Sequence, residues 1–247
     1  MIFLIIAILL LSSFNLYCKI FSSQITSGND YQEFTLYKGW NLIGISSFDE
    51  VSTSELFSNV NYYVVYKWDP IDKRYTLTNV LKPNQGYWVL VLNNVNIRWK
   101  KPIEILENRE YYYELLELIN SANETIYVIM YVMKYDPDDP FDPANDLIRA
   151  LVNASNRGVN VNVILESEVS TNDEAYWYLK SNGVSVYYDN GSRTHAKIVI
   201  IDSRIIIVGS HNWTESALWY NNEVSLIVYS RELANHLISY FNEILEG

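Results

Sequence analysis

Two largely β-branched runs, residues 196–201 and 205–208, apolar but for Lys197, flank Asp202-Ser203-Arg204 and leave this stretch little choice but a β-hairpin. Branching at Cβ stiffens χ1 and suits the pleated backbone, whereas Asp and Ser suit turns. A two-residue loop at Ser203-Arg204 sets Asn212 opposite His195 and Ser210 opposite Lys197. Side chains two apart in a strand share a face, so His195, Lys197, Ser210 and Asn212 are expected to converge at one end of the hairpin.

An imidazole, an ammonium, a hydroxyl and an amide around one point suit a tetrahedral phosphoryl group. Lys197 supplies charge to the non-bridging oxygens, Ser210 and Asn212 donate hydrogen bonds, and His195 attacks. Asp202 lies seven residues from His195, roughly 23 Å along an extended strand at about 3.3 Å per residue, with the opposite parity. It is expected to act structurally, capping the turn or pairing with a basic group. Glu223 is the better orienter for His195, because a carboxylate returning on the next strand can hold Nδ1–H and leave Nε2 free.

Read in order, residues 195–212 spell H-x-K-x4-D-x6-G-S-x-N, with Asn221-Asn222-Glu223 beyond. This resembles the signature of the phospholipase D superfamily, and residues 157–161 (Arg-Gly-Val-Asn-Val) resemble a strand start of the same family. The resemblance covers residues 102–247. It implies phosphodiester cleavage through a histidine nucleophile, the same orienting role for Glu223, and motif positions for Asp202 and Gly209. A leaving alkoxide needs a proton from a general acid, which the family supplies with a second copy of the motif. This chain contains no second H-x-K. A two-fold homodimer that brings two copies of His195 to one phosphate is therefore expected.

Competing readings are weaker on physical grounds. Were His195 a core histidine, Lys197 would be buried unpaired at a cost of several kcal/mol. Ser210 and His211 are adjacent in a strand and point to opposite faces, so they do not form a nucleophile and base. Asp136, Asp138, Asp139 and Asp142 lack the D-x-D-x-D-G spacing of a calcium loop and are interrupted by prolines, so a solvated acidic loop is expected. His236 reads as a surface residue of a C-terminal amphipathic segment. Three histidines and one cysteine give no zinc-type spacing, and no cofactor is expected.

Residues 1–18 form an apolar segment, read as a signal peptide or membrane anchor, although no Lys or Arg precedes it and a span needs about 20 residues. Cys18 fits a lipidation site badly. Sequons at Asn123, Asn153 and Asn190 are compatible with export, whereas a glycan on Asn212 would block the site. Residues 19–30 read as a linker. Residues 31–101 read as a small all-β domain with strands near 34–37, 41–45, 62–68, 75–78 and 87–92, its Trp and Tyr taken as core. This part resembles a small β module of prokaryotic secreted and cell-surface proteins, which carries no activity.

From residue 102 strands and helices alternate, giving an α/β fold with a mixed sheet flanked by helices. Strands are expected at 103–106, 125–133, 159–165, 184–188 and 223–229 beside the hairpin, with helices near 111–121, 146–156, 173–181 and 232–245. Charge separates the halves. Through Lys101 there are nine basic and seven acidic residues, and beyond it nine and 22, which together give the net charge of −11. So acidic a domain lacks the footprint of a polyanion binder. The sequence therefore favours a phospholipid over a nucleic-acid substrate and a membrane-proximal, extracytoplasmic place, with an endonuclease second and a silent surface-binding module third.

Overall fold

A computed structural model describes residues 17–18 and 31–247, apart from Asn59. The chain divides into two compact units, residues 1–102 and 103–247. The segment before residue 17 and the linker at 19–30 lie outside the described residues, and Tyr17–Cys18 pairs in parallel with Asn41 and Leu42. Among the described residues no helix is long and apolar enough to cross a membrane.

The first unit has a five-stranded sheet in the order Tyr17–Cys18, Gly39–Gly44, Gly86–Val91, Tyr62–Asp69, Arg74–Leu77. Tyr31–Leu36 pairs with Val95–Lys100, and Val51–Ser52 with Val80–Leu81. It is not wholly β: Thr53–Leu56 makes one helical turn, capped by the Ser52 hydroxyl, which accepts from Glu55 N at 3.1 Å. Leu36, Ile43, Val65, Leu81, Tyr87, Val89, Val91 and Ile97 form its core. The aromatics divide by strand parity. Tyr87 is core, but Trp68 and Tyr75 are about half exposed and meet edge to face across two paired strands, centroids 5.1 Å apart. The expectation that the Trp and Tyr of this unit are mostly core does not hold for these two, nor for Tyr63, which is also exposed.

The second unit has seven strands: β1 (Ile103–Glu107), β2 (Thr125–Met130), β3 (Asn160–Leu165), β4 (Ser185–Tyr188), β5 (Lys197–Ile201), β6 (Ile205–Gly209) and β7 (Val224–Tyr229). Its helices are α1 (Glu110–Ser121), α2 (Pro143–Asn156), α3 (Asp173–Ser181) and α4 (Arg231–Glu246). The sheet order is β1-β7-β6-β5-β2-β3-β4, with β2, β3 and β4 parallel and the other pairings antiparallel. One large core joins the sheet to α1, α2 and α3. A second joins Ile129, Ile164, Ile198, Ile200 and Ile206 to Ala234 and Phe241 of α4. With a helix layer on each face, β5 is buried from end to end, which explains the unbroken apolar sequence of Ile198–Ile201.

Two local departures from expectation have clear causes. Strand β2 ends at Met130 rather than residue 133, so Tyr131 belongs to the loop above the sheet. Helix α2 begins three residues earlier than expected, because Asp142 caps it, accepting from Ala144 N at 2.9 Å, and Pro143 takes the first helical position. Asp142 is buried, and burial raises its carboxyl above the usual range. It is not part of a solvated loop. Asp136 instead pairs with Lys134 at 2.8 Å and Asp139 accepts from Phe141 N.

Candidate active site

The hairpin of β5 and β6 forms, but one residue away from the expected register. Ile198 faces Val208, not Gly209, and Ile201 faces Ile205. The reason is the turn. Asp202 and Ser203 take positive φ, 50° each, and Arg204 N donates to Ile201 O at 3.1 Å, so the loop has three residues. Asn212 and Ser210 are thus not the direct cross-strand partners of His195 and Lys197; they reach the same place from beyond the end of β6.

His195, Lys197, Ser210 and Asn212 nevertheless line one pocket of about 420 Å³, with Ala196, Ile198, Val208 and Gly209 completing its wall. It opens at the end of the sheet where β2 stops and β5 starts. His195 is exposed there and Lys197 nearly buried. The Lys197 ammonium donates to His195 O at 2.8 Å and lies 3.4 Å from His195 Nδ1. Burial holds the Lys197 pKa below the ordinary lysine value of 10.5, while the Glu223 charge pulls the other way. The Tyr131 ring lies 4.3 Å from the His195 ring, and Lys197 Nζ is 4.8 Å from its centroid.

Asn212 is set in the pocket by its neighbours. His211 and Trp213 are both wholly buried, so the residue between them turns outward. His211 meets the Ser225 hydroxyl at 2.8 Å and Asn108 O at 3.0 Å, and stacks on Tyr111 at 4.2 Å. Trp213 donates its indole N–H to Tyr111 OH at 3.0 Å, and its backbone bonds to Val132 and Lys134. The Asn212 Oδ1 is buried without a hydrogen-bond partner, and such an atom calls for a ligand or a functional explanation.

The matching family model is described as "Cardiolipin synthase, PLD-like domain" and covers residues 115–245, more than half of the chain. The chain belongs to this phospholipase D-like family. Cardiolipin synthase A of Yersinia pseudotuberculosis is 33% identical over 94 residues, 36% of this chain and 19% of that protein, as is its Yersinia pestis counterpart. The chain thus spans about a fifth of the length of these curated relatives. Among solved structures, the phospholipase D family member Nuc from Salmonella typhimurium superposes with a TM-score of 0.50 at 21% identity, covering 57% of this chain and 93% of Nuc. NucT from Helicobacter pylori gives 0.50 at 24% identity, 58% and 95%. These likenesses show that the second unit has the phospholipase D fold.

Within this phospholipase D-like unit, Glu223 does not orient His195. Its carboxylate accepts from the Ser210 hydroxyl and, through Oε1, from Asn221 Nδ2 at 3.0 Å. Since the Ser210 hydroxyl donates its hydrogen bond to Glu223, it is not turned to a phosphate in this arrangement. Asp202 sits at the far end of β5, where its carboxylate accepts from the backbone N–H groups of Asn123, Glu124 and Thr125. It ties the hairpin turn to the start of β2. Gly209 has no room for a side chain: a Cβ there would lie 2.2 Å from Ser225 Oγ and 2.4 Å from Val224 O.

Sequence reasoning missed Tyr131 because the strand was drawn through it. It missed Asn108 as well, whose backbone N–H donates to Glu223 O at 2.9 Å and whose Oδ1 accepts from Glu223 N at 3.0 Å. Asn108 has a φ of 53°, a conformation that Asn tolerates better than most residues, and only that preference could have pointed to it. Among the described residues no group of three or more His, Cys, Asp or Glu is arranged to hold a metal ion.

Proposed function

We propose that the second unit hydrolyses phosphodiesters through a covalent phosphohistidine at His195, with a phospholipid as the favoured substrate. The observation that carries this reading is the one pocket lined by His195, Lys197 and Asn212 together. In the first step the unprotonated ring nitrogen of His195 attacks phosphorus, the bond to the leaving oxygen breaks, and a protonated acid donates to that oxygen. Lys197 balances charge on the non-bridging oxygens. Water then attacks phosphorus, the P–N bond breaks, and the departing proton restores the acid.

A second copy of the chain is proposed to supply that acid from its own His195. One side of the sheet supports this. Ile105, Leu226, Val208 and Ile198 form one row across β1, β7, β6 and β5, and the last two line the pocket. The outer part of the row, with Val224, is exposed, and exposed apolar strips beside a site mark interaction surfaces.

The likeness to cardiolipin synthase A of Yersinia favours a lipid phosphodiester, as do the apolar pocket wall and the excess of acidic residues. The apolar residues 1–18 support a membrane-proximal, extracytoplasmic place. An endonuclease is the second reading. Purified chain incubated with phosphatidylcholine vesicles and with single-stranded DNA separates the two by product. His195→Asn is expected to abolish turnover and the acid-labile, base-stable phosphoenzyme together, with wild-type activity surviving excess EDTA. Activity in the variant on both substrates would overturn the proposal and leave a silent binding module as the better account.

A further inference from the structure

The chain reaches His195 by an unusual path. Leaving the sheet edge at β4, residues 189–196 must cross the ends of β3 and β2 before turning down into β5. A crossing loop of this kind has no ladder to fix it, yet it carries the attacking side chain. Its control comes from polar groups set at the end of each strand that it passes.

Asp189, just past β4, accepts from Thr194 N at 3.0 Å and from Ser167 N at 2.8 Å. Glu166, just past β3 and almost wholly buried, accepts from the same Thr194 N at 2.5 Å and from Glu168 N at 3.2 Å. Beyond β2 stands Tyr131, against the His195 ring. The strand ends are themselves joined by Asn172, also wholly buried: its Oδ1 accepts from Met133 N at 2.8 Å, and its Nδ2 donates to Tyr131 O at 3.0 Å and Glu166 O at 2.9 Å.

We propose that Glu166 and Asp189 are positioning residues for the reaction at His195, acting through the one backbone N–H that immediately precedes it. Neither carboxylate lines the pocket, so each is placed to act through the backbone of the loop. Two carboxylates converging on a single amide are a costly arrangement for a loop that only needs to close, because like charges repel in a poorly solvated site. The arrangement is intelligible if the direction of the next side chain matters. For Asp189 burial works against the charged form, but the donors from Ser167 and Thr194 together outweigh it and hold its carboxyl below the usual range.

This inference rests on His195 being the nucleophile, and its test separates the two ideas. The full chain is assayed on bis(p-nitrophenyl) phosphate, a chromogenic phosphodiester, with Glu166→Ala, Glu166→Gln and Asp189→Ala. Asp189 is only half-buried, so its variant stays informative should Glu166→Ala fail to fold. Misplacing a reacting group by about an ångström costs up to roughly 100-fold. The alanine variants are expected to lose roughly 10- to 100-fold in kcat with KM little changed, and Glu166→Gln, which keeps an acceptor for Thr194 N–H, to recover most of the loss. Folded alanine variants with wild-type kcat overturn the clamp. If the wild type cleaves no phosphodiester, the functional reading fails, and the clamp is judged on the ring 15N–1H signals of His195, which must shift in Asp189→Ala for it to survive.

Discussion

The Ser210 hydroxyl donates a hydrogen bond to the Glu223 carboxylate, and the Lys197 ammonium lies 3.4 Å from His195 Nδ1. Glu223 therefore acts on the site through Ser210 and through its field at Lys197.

That field gives the first prediction. Burial lowers the Lys197 pKa and Glu223 raises it, so activity that depends on the ammonium must decline on the alkaline side before the ordinary lysine value of 10.5. Glu223→Gln removes the raising charge and is expected to move that decline to still lower pH. A pH–rate profile with an unchanged alkaline limb in the variant would show that the charge on Lys197 is not what fails.

Asp202→Asn is expected to act on folding and little on chemistry. The substitution exchanges a charged acceptor of three backbone N–H groups for a neutral amide, and weakening such bonds costs about 1–3 kcal/mol. Denaturant unfolding should report that loss, and turnover per folded molecule should stay near wild type.

Gly209→Ala tests the close approach of β6 to β7. The added carbon would collide with Val224 O and the Cα of Ser225, which are backbone atoms or fixed to it. Overpacking of this sort costs about 1–3 kcal/mol or more. Thermal unfolding should show a clear fall in midpoint, and an unchanged midpoint would contradict the register of Gly209 against Ser225.

His211 gives a prediction of opposite character to Lys197. Desolvation lowers its pKa below 6.5, so it stays neutral in the fold while the unfolded chain binds a proton more readily. Its stabilising contribution is thus complete above about pH 6.5 and lost as pH falls through the lower folded value. Wild-type stability should drop between pH 7 and pH 5, and His211→Gln should be less stable at pH 7 but show a shallower drop. Parallel curves for the two proteins would refute this assignment.

The fold of the second unit was legible because its central strands are buried on both faces and therefore read as apolar runs, as in residues 198–201. The gathering of His195, Lys197 and Asn212 was expected from a shared hairpin face, but with Ile198 opposite Val208 that parity is lost, and they meet instead around the open end of the hairpin. The slip itself was not legible, because Asp202-Ser203-Arg204 supports either a two- or a three-residue loop and only the positive φ of Asp202 and Ser203 decides between them. The start of α2 could have been found, since Asp142-Pro143 is a cap followed by a first-turn proline. The roles of Glu166 and Asp189 could not, because both depend on a loop crossing two strand ends, and nothing local in the sequence records that path.

Tyr131 beside Lys197 has a consequence for how the pocket meets an anion. An aromatic face attracts a cation through its quadrupole and carries no net charge. A carboxylate in the same place would pair with the ammonium and leave little positive potential in the empty pocket. With the ring 4.8 Å away, Lys197 is held without being neutralised by it, so its charge, offset in part by the Glu223 field, stays available to the first phosphoryl oxygen that arrives.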